Sequence, residues 1–319
     1  MGKKDTVTKE YIRNPEIFAD VFNKFLYNGR QIINPASLTE LDITEITLPY
    51  GESDASVPEQ RYRDMLKLAM TDGNMAYCIL GAENQSDIHY AMPVKNMVYD
   101  AMQLAYQVTK AAQSHKKKNK DKQDSQYKPS SQEYLSGFYK TDRLLPVITL
   151  VIFWGAEKWD APLSLKDMYA KVDETVMKYV PDYKVNLIAP EQMTEEEIGE
   201  FKTSFKEVML YIKYSKDKTR LQEIIQANEE FRSLDRQAAE VINVTTNSKL
   251  KYPEGKERVD MCAAIEEMRT DSRLEGEIKG AVITCQKFNM SLQETVHYIA
   301  DNYNLSLQES EEKVTSYWK

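Results

Sequence analysis

Two alternating runs joined by a tight turn are the feature that most constrains how this chain can fold. The first run covers residues 62–68, the second covers residues 75–83, and an Asp-Gly-Asn segment at residues 72–74 lies between them. Alternation with a period of two is typical of β-strands, and Gly beside Asn between such runs is typical of a hairpin turn. The sequence therefore predicts an antiparallel β-hairpin.

The position of the turn sets the register of this hairpin, and the sequence allows two positions. A loop at residues 73–74 puts Asp64 opposite Glu83, whereas a loop at residues 72–73 puts Asp64 opposite Gly81. In either register Asp64 and Glu83 share a face, because the side chains of a strand alternate between its two faces. The two acidic side chains are therefore expected to be neighbours.

Gln85 lies two residues beyond Glu83 and is expected on the same face. Two carboxylates about 5 Å apart repel each other by roughly 3 kcal/mol at an effective dielectric constant of 20. A bound proton, a basic side chain or a divalent cation must offset this repulsion. Oxygen ligands without His or Cys favour magnesium or manganese over zinc. The alternative, favoured by spacing alone, is a surface pair of acids bridged to Arg61, Arg63 or Lys67.

An acidic residue on one strand, followed by Glu83-x-Gln85 at the end of the next, resembles the metal-ligand core of the PD-(D/E)XK nucleases. The last residue of that motif is usually Lys. The variant with Gln, in which ENQ is followed by HYAMPVKNMVYDAM, resembles the recombination-promoting nuclease and putative transposase family (Rpn-like) of bacteria. This resemblance implies an α/β fold with a PD-(D/E)XK restriction-endonuclease-like core, in which helices flank a mixed central sheet.

The resemblance also implies a function, namely magnesium-dependent hydrolysis of DNA phosphodiester bonds by an endonuclease associated with recombination or mobile elements. Asp64 and Glu83 would hold Mg²⁺, or Mn²⁺, together with water and a backbone carbonyl. Gln85 offers only neutral donors where Lys is usual, and loss of one preorganised donor typically costs roughly 3 to 4 kcal/mol. We therefore expect a slow enzyme in which Lys95 supplies positive charge to the substrate phosphate.

A further acidic ligand is expected from the first helix of the nuclease core. Residues 15–27 have apolar side chains at helical spacing, and Asp20 lies on the flank of that apolar stripe. The resemblance assigns the additional acidic role to Asp20, with Glu16, one turn earlier, as the competitor. A solvated surface charge is an equally weighted alternative for either residue.

The remaining elements of the expected sheet follow from local patterns. Residues 43–49 and 183–188 read as strands, and the β-branched run at 145–153 reads as a strand that is covered on both faces. Residues 92–112 read as a helix that begins just beyond the expected site. The order of one helix, three strands and another helix is what the resemblance implies.

The composition changes twice along the chain. Residues 114–131 are rich in lysine and lack large aliphatic side chains, which indicates a flexible loop or a mobile basic arm that grips phosphates. From about residue 194 the pattern is nearly all helical. We therefore expect a nuclease-like domain at 1–190 and a helical region at 191–319, with the two short helices at its end serving as a cap or as the contact of a homo-oligomer.

The chain has 42 basic and 50 acidic residues, and this net charge of −8 argues against indiscriminate binding to nucleic acids. A DNA partner then requires basic groups confined to one groove beside the acidic centre. No apolar run approaches the length of a membrane span and no signal peptide is evident, so we expect a cytoplasmic protein without a membrane partner.

A second class of function stays open at this point. The acidic balance and the missing Lys of the motif favour a catalytically inactive DNA-binding or protein-interaction module that retains the nuclease fold. Metal binding and DNA cleavage distinguish this module from the enzyme.

Overall fold

The structure is a computed structural model that describes residues 2–41, 64–70, 75–120, 127–253 and 255–318. The chain forms two compact units. Unit 1 comprises Met1–Ile224 with Gln237–Asn247, and unit 2 comprises Ile225–Arg236 with Ser248–Lys319. Unit 1 therefore extends past residue 190, where the sequence predicted a domain boundary.

Unit 1 is built around a five-stranded mixed sheet, which confirms the α/β class. The strands lie side by side in chain order. Strand β2 is antiparallel to both of its neighbours, β1 and β3, and the last two strands run parallel to β3. The strands are β1 (Leu38–Glu40), β2 (Met65–Met70), β3 (Ala76–Gln85), β4 (Val147–Phe153) and β5 (Asn186–Ile188).

The pairing of β2 with β3 settles the hairpin register. Met65 pairs with Ala82 and Leu66 pairs with Gly81. Continuing this register by one residue puts Asp64, which immediately precedes β2, opposite Glu83. This is the register expected from a loop at residues 73–74, and it excludes the one that puts Gly81 opposite Asp64. The turn itself lies outside the described residues.

Along the chain, the helices of unit 1 lie before, between and after the strands of this sheet. The crossover helix α3 joins β3 to the parallel strand β4 and packs on β4. The helices of unit 1 begin with α1 (Lys3–Arg13), α2 (Pro15–Tyr27), α3 (Met92–Lys120), α4 (Ser131–Ser136), α5 (Glu174–Met177), α6 (Glu195–Gly199) and α7 (Phe205–Tyr214). Two further helices, α8 (Lys218–Ala227) and α9 (Arg236–Thr246), follow along the chain.

Helix α2 and strands β4 and β5 lie where the sequence predicted them. Asn14 caps α2 by accepting a hydrogen bond from the backbone N–H of Glu16 at 2.9 Å, and Pro15 occupies the first helical position. Strand β4 is fully buried from Leu150 to Phe153, as expected for a strand covered on both faces. The order of helix, three strands and helix is also observed.

One prediction of local structure differs from the structure. Helix α3 continues to Lys120, so the first part of the predicted flexible insert at 114–131 is helical, and residues 121–126 lie outside the described residues. The strand predicted at 43–49 also lies outside them. Strand β1 and helix α1 were not predicted.

Aromatic side chains fill the core beside the carboxyl end of β3. Trp154 is fully buried and makes edge-to-face contacts with Tyr11 and Phe205, whose ring centroids lie 6.4 and 5.9 Å away. Phe205 contacts Phe201 in the same way at 4.8 Å. Because Tyr11 belongs to α1 and Phe205 to α7, this cluster explains why the helices after residue 190 belong to unit 1.

Unit 2 is mostly helical, as expected, and also contains one short strand pair. Its elements are β6 (Leu234–Asp235), β7 (Arg258–Val259), α10 (Met261–Lys287), α11 (Leu292–Tyr303) and α12 (Leu307–Tyr317). The last two helices confirm the predicted helix pair, and both begin with a capping box. Their core consists of small apolar side chains: Ile278, Val282, Val296, Ile299 and Val314.

Within the described part of the chain, no helix combines the length and the apolarity needed to cross a bilayer.

Candidate functional site

The start of β2 and the end of β3 meet at one end of the sheet, where Asp64, Glu83 and Gln85 lie, and we call these three residues the carboxylate edge. Asp64 immediately precedes β2, while Glu83 and Gln85 are the last side chains of one face of β3. Glu83 is 2 % exposed, which is rare for a carboxylate that lacks a charged or hydrogen-bonded partner. The burial of Glu83 therefore requires such a partner.

Lys95 is the cationic partner of Glu83. Its ammonium group lies 2.5 Å from Oε1 of Glu83. Lys95 reaches this position because α3 begins at Met92, shortly after β3 ends. The Lys95 side chain is still 24 % exposed, so its charge faces both the carboxylate and solvent.

Gln85 holds the same oxygen of Glu83 from the other side. Its amide nitrogen donates to Oε1 of Glu83 at 3.2 Å and to the backbone carbonyl of Asn84 at 2.9 Å. The structure thus brings Glu83, Gln85 and Lys95 into one contact group, as the sequence predicted for their positions.

Asp64 joins this edge through the backbone of β3. Its Oδ2 accepts a hydrogen bond from the N–H of Asn84 at 2.8 Å, and its Oδ1 lies 2.8 Å from the ammonium group of Lys9. Lys9 belongs to α1 and also pairs with Asp5, one turn earlier, at 3.1 Å. Burial by itself lowers the pKa of Lys9, but the hydrogen bonds and charges of Asp64 and Asp5 outweigh it and raise that pKa.

Lys67 is not a partner of the carboxylates. Its ammonium group donates to the backbone carbonyl of Arg13 at 2.7 Å and lies 4.9 Å from the ring centroid of Phe18. Burial lowers its pKa, against the opposing effect of Glu40. Arg61 and Arg63, the other basic residues considered for a surface pair, lie outside the described residues.

Asp20 faces a different segment from the one expected. Its Oδ2 accepts hydrogen bonds from the backbone N–H groups of Lys202 and Thr203 and from the Thr203 hydroxyl, at 2.8, 2.8 and 2.7 Å. Its Oδ1 is buried without a hydrogen-bond partner among the described residues. Asp20 thus ties α2 to the segment before α7, and the role expected for it at a metal ion stays a prediction. The competitor Glu16 is exposed at the start of α2.

Comparison with protein families decides the relationship of this chain to known proteins. Residues 3–241 match the family described as putative transposase, YhgA-like. The chain belongs to this family. The match covers every residue of the carboxylate edge and confirms the relationship expected from ENQ and the segment after it. Comparisons with the curated proteins and with the solved structures gave no match.

The description of the family as a putative transposase suggests a function associated with mobile elements and an interaction with DNA. The family match extends through β5 and α7 to residue 241, so it includes both the sheet and the helices that pack beside the site. It ends before the helices of unit 2.

The donor atoms of Asp64, Glu83 and Gln85 are oxygens, which magnesium and manganese prefer and zinc does not. These side chains offer carboxylate and amide oxygens, and among the described residues no group of three or more His, Cys, Asp or Glu side chains is arranged around a metal position. Mg²⁺ commonly binds through one or two carboxylates while it retains water molecules. The ammonium groups of Lys9 and Lys95 contact the same carboxylates, so a divalent cation must compete with them.

Lys9 is the site residue that sequence reasoning missed. Thr8, Tyr11 and Ile12 are buried on one side of α1, and this spacing of three and four residues is the available signal for that helix. Nothing local to α1 indicates that Lys9 meets Asp64, because that contact arises only when the helix packs against the hairpin.

Proposed function

We propose that this chain is a magnesium-dependent endonuclease that hydrolyses DNA phosphodiester bonds in recombination or mobile-element transactions. The observation that carries the proposal is the contact group of Glu83, Gln85 and Lys95 at the edge where Asp64 also lies. Membership of a transposase family supports DNA as the partner. The sequence of helix, antiparallel β1–β3, crossover helix and parallel β4 supports a PD-(D/E)XK-like core.

Asp64 and Glu83 would hold the metal ion. When bound, Mg²⁺ or Mn²⁺ supplies Lewis-acid polarisation of a phosphoryl oxygen and activates water for attack. Asp64 is well placed for this role because its side chain is only 11 % exposed and the backbone N–H of Asn84 fixes its orientation. Glu83 is fixed in the same way by the amide of Gln85.

Lys95 takes the electrostatic role that Lys has in the common motif. Its ammonium group is already at the carboxylate edge, and its exposed fraction allows it to turn toward a phosphate. A positive charge positioned where negative charge develops is the largest single contribution in many active sites. Gln85 contributes neutral N–H donors and orients Glu83, so the enzyme is expected to be slow.

Plasmid nicking tests the proposed function. The wild-type protein should relax supercoiled plasmid with Mg²⁺ or Mn²⁺ and fail to do so with a chelator. Asp64→Asn and Glu83→Gln should each lower the rate by about 100-fold or more, since each removes a charged ligand while keeping the shape of the side chain. Asp5→Asn is the matched control, because Asp5 also pairs with Lys9 but lies outside the carboxylate edge. Equal activity in all variants would contradict the proposal.

A catalytically inactive DNA-binding module is the second candidate, and one observation favours it. Both carboxylates already have a lysine partner, which satisfies their charge without a metal ion. This candidate predicts DNA binding without nicking and no change in melting temperature on addition of Mg²⁺ or Mn²⁺. The proposed enzyme instead predicts nicking of the plasmid and a change in melting temperature when either ion is added.

A further inference from the structure

Helix α3 carries a concentration of positive charge in an otherwise acidic chain. Between Met92 and Lys120 it has six lysines and a single acidic residue, Asp100. That carboxylate accepts hydrogen bonds from the hydroxyls of Thr149 and Tyr183 at 2.6 and 2.5 Å, so it faces the sheet. The outward part of α3 therefore lacks acidic side chains, although the whole chain has a net charge of −8.

Three basic and two aromatic side chains share one face of this helix. Lys95, Tyr99, Tyr106, Lys110 and Lys117 follow at intervals of four, seven, four and seven residues. At about 100° per residue they fall within an arc of about 60°, and we call this set the α3 stripe. The ammonium of Lys95 lies 5.9 Å from the ring centroid of Tyr99, and that of Lys110 lies 4.9 Å from the ring centroid of Tyr106.

The opposite flank of α3 is fixed to the body of unit 1, while the α3 stripe is half-buried at Lys95, Tyr99 and Tyr106 and exposed at Lys110 and Lys117. Gln107 exchanges two hydrogen bonds with the backbone of Leu145, at 2.7 and 3.1 Å. Near the end of the helix, His115 lies 2.8 Å from Asp142 and stacks on the ring of Tyr139. These contacts fix the second half of α3 to the segment that precedes β4.

We propose that the α3 stripe binds a single-stranded segment of DNA that leads to the carboxylate edge. The lysines of the stripe supply charges for successive phosphates, and the tyrosine rings supply flat surfaces on which unpaired bases stack. Lys95 belongs both to the stripe and to the contact group of Glu83, so the stripe begins at the candidate site. Lys110 and Lys117 are exposed and lie progressively farther from it.

The shape of the stripe favours a single strand over a duplex. From Lys95 to Lys117 the helix rises about 33 Å, at about 1.5 Å per residue. The backbone of a duplex winds through a full turn in about 34 Å, so it leaves a straight surface after a few phosphates. An unpaired strand can follow the whole stripe, and only unpaired bases expose their faces to Tyr99 and Tyr106.

This inference rests on the proposed function for its choice of DNA as the polyanion. Its test is nevertheless separate, because Tyr106, Lys110 and Lys117 lie about 16 Å or more along α3 from Lys95, the residue that contacts Glu83. Binding can be measured in the presence of a chelator, where no metal-dependent cleavage occurs.

Fluorescence anisotropy with a labelled thymidine oligonucleotide of roughly 20 residues tests the lysines of the stripe. The full-length protein should bind this strand more tightly than a duplex of the same length. Lys110→Gln with Lys117→Gln should weaken binding about tenfold and reduce the slope of log Kd against log salt by about 1.4, or about 0.7 for each lost contact. The matched control is Lys171→Gln with Lys178→Gln, which removes the same charge from exposed residues elsewhere in unit 1.

A second pair of variants tests the aromatic part of the stripe. Tyr106→Ala should weaken binding of the strand by about 5- to 100-fold, whereas Tyr106→Phe should keep most of the affinity, because stacking uses the ring and not the hydroxyl. Circular dichroism melts establish that each variant is folded.

Absence of binding by the wild type, preference for the duplex, or equal losses in the stripe and control lysine variants would overturn the inference. Nicking activity together with unaltered binding in the stripe variants would overturn the inference and leave the proposed function standing. Stripe-dependent binding without nicking would overturn the proposed function and leave the inference standing.

Discussion

Lys9 and Asp64 form the ion pair that most directly governs access to the carboxylate edge. The pKa of Lys9 is raised, so the pair stabilises the folded state at any pH below the ordinary pKa of lysine and is lost only as the pH rises through the raised value. The pair is therefore intact at neutral pH. A divalent cation at Asp64 must displace this ammonium group or share its carboxylate.

Removal of the Lys9 charge should strengthen metal binding. In Lys9→Met the competing ammonium group is lost, and we expect the Mn²⁺ concentration for a half-maximal thermal shift to fall about tenfold, which corresponds to about 1.4 kcal/mol. This change in binding free energy is smaller than the repulsion of roughly 4 kcal/mol between two like unit charges 4 Å apart at a dielectric constant of 20. It is smaller because Lys9 is partly solvated. Lys3→Met on the same helix is the control, and an unchanged midpoint in Lys9→Met would contradict the competition.

The candidate site was largely predictable at the scale of single residues. The two-residue period of a strand places Asp64, Glu83 and Gln85 near one another, and Lys95 follows because α3 begins soon after β3. Lys9 was not predictable because its contact with Asp64 depends on how α1 packs. Asp20 shows the same limit, since its partners at Lys202 and Thr203 come from a distant part of the chain.

At the scale of elements, Asp20 links α2 to the segment before α7. Asp20→Ala removes three hydrogen bonds to a carboxylate that is 2 % exposed. We expect the free energy of unfolding to fall by about 1 to 3 kcal/mol, because two partly buried backbone donors lose a charged partner. Urea denaturation measures this change. Glu16→Ala in the same helix should have little effect, and an equally small effect of Asp20→Ala would contradict the structural role.

The segment around α4 depends on a single carboxylate. Glu133 accepts hydrogen bonds from the hydroxyl of Tyr127 at 2.5 Å and from the backbone N–H groups of Ser130 and Lys140 at 2.7 and 2.9 Å. These bonds, led by that of Lys140, lower the pKa of Glu133 to about 2. Its contribution to stability is complete above the ordinary pKa of glutamate and is lost as the pH falls through about 2.

Glu133→Gln should therefore remove part of the loss of stability between about pH 5 and pH 2. The thermal unfolding midpoint, measured as a function of pH, should fall less steeply in the variant than in the wild type, although the variant is less stable at neutral pH. Glu196→Gln, at an exposed position in α6, is the control. Identical acid limbs in the wild type and Glu133→Gln would contradict this account.

The extension of α3 shows why some elements could not be predicted. The lysine-rich segment after residue 112 has no apolar period, so the sequence indicated a loop. The helix persists to Lys120 because His115 is fixed by Asp142 and stacks on Tyr139. These tertiary contacts supply what the local pattern lacks. By contrast, α2 and β4 have strong apolar patterns and were predicted close to their observed bounds.

At the scale of the whole molecule, the distribution of charge resolves the conflict between an acidic chain and a DNA partner. The net charge is −8, yet α3 presents lysines on a face without acidic side chains that leads to the carboxylate edge. This is the arrangement expected of a protein that binds DNA at one surface and repels it elsewhere. The role predicted for the helix pair α11 and α12 as a cap or homo-oligomer contact stays a prediction, as does the cytoplasmic location.

Calorimetric titration with Mn²⁺ shows whether Asp64 and Glu83 together hold one divalent cation. The account predicts saturable binding to the wild type, and loss of that binding in both Asp64→Asn and Glu83→Gln while Asp5→Asn binds as the wild type does. Absence of saturable binding, or binding that persists in both Asp64→Asn and Glu83→Gln, would contradict it.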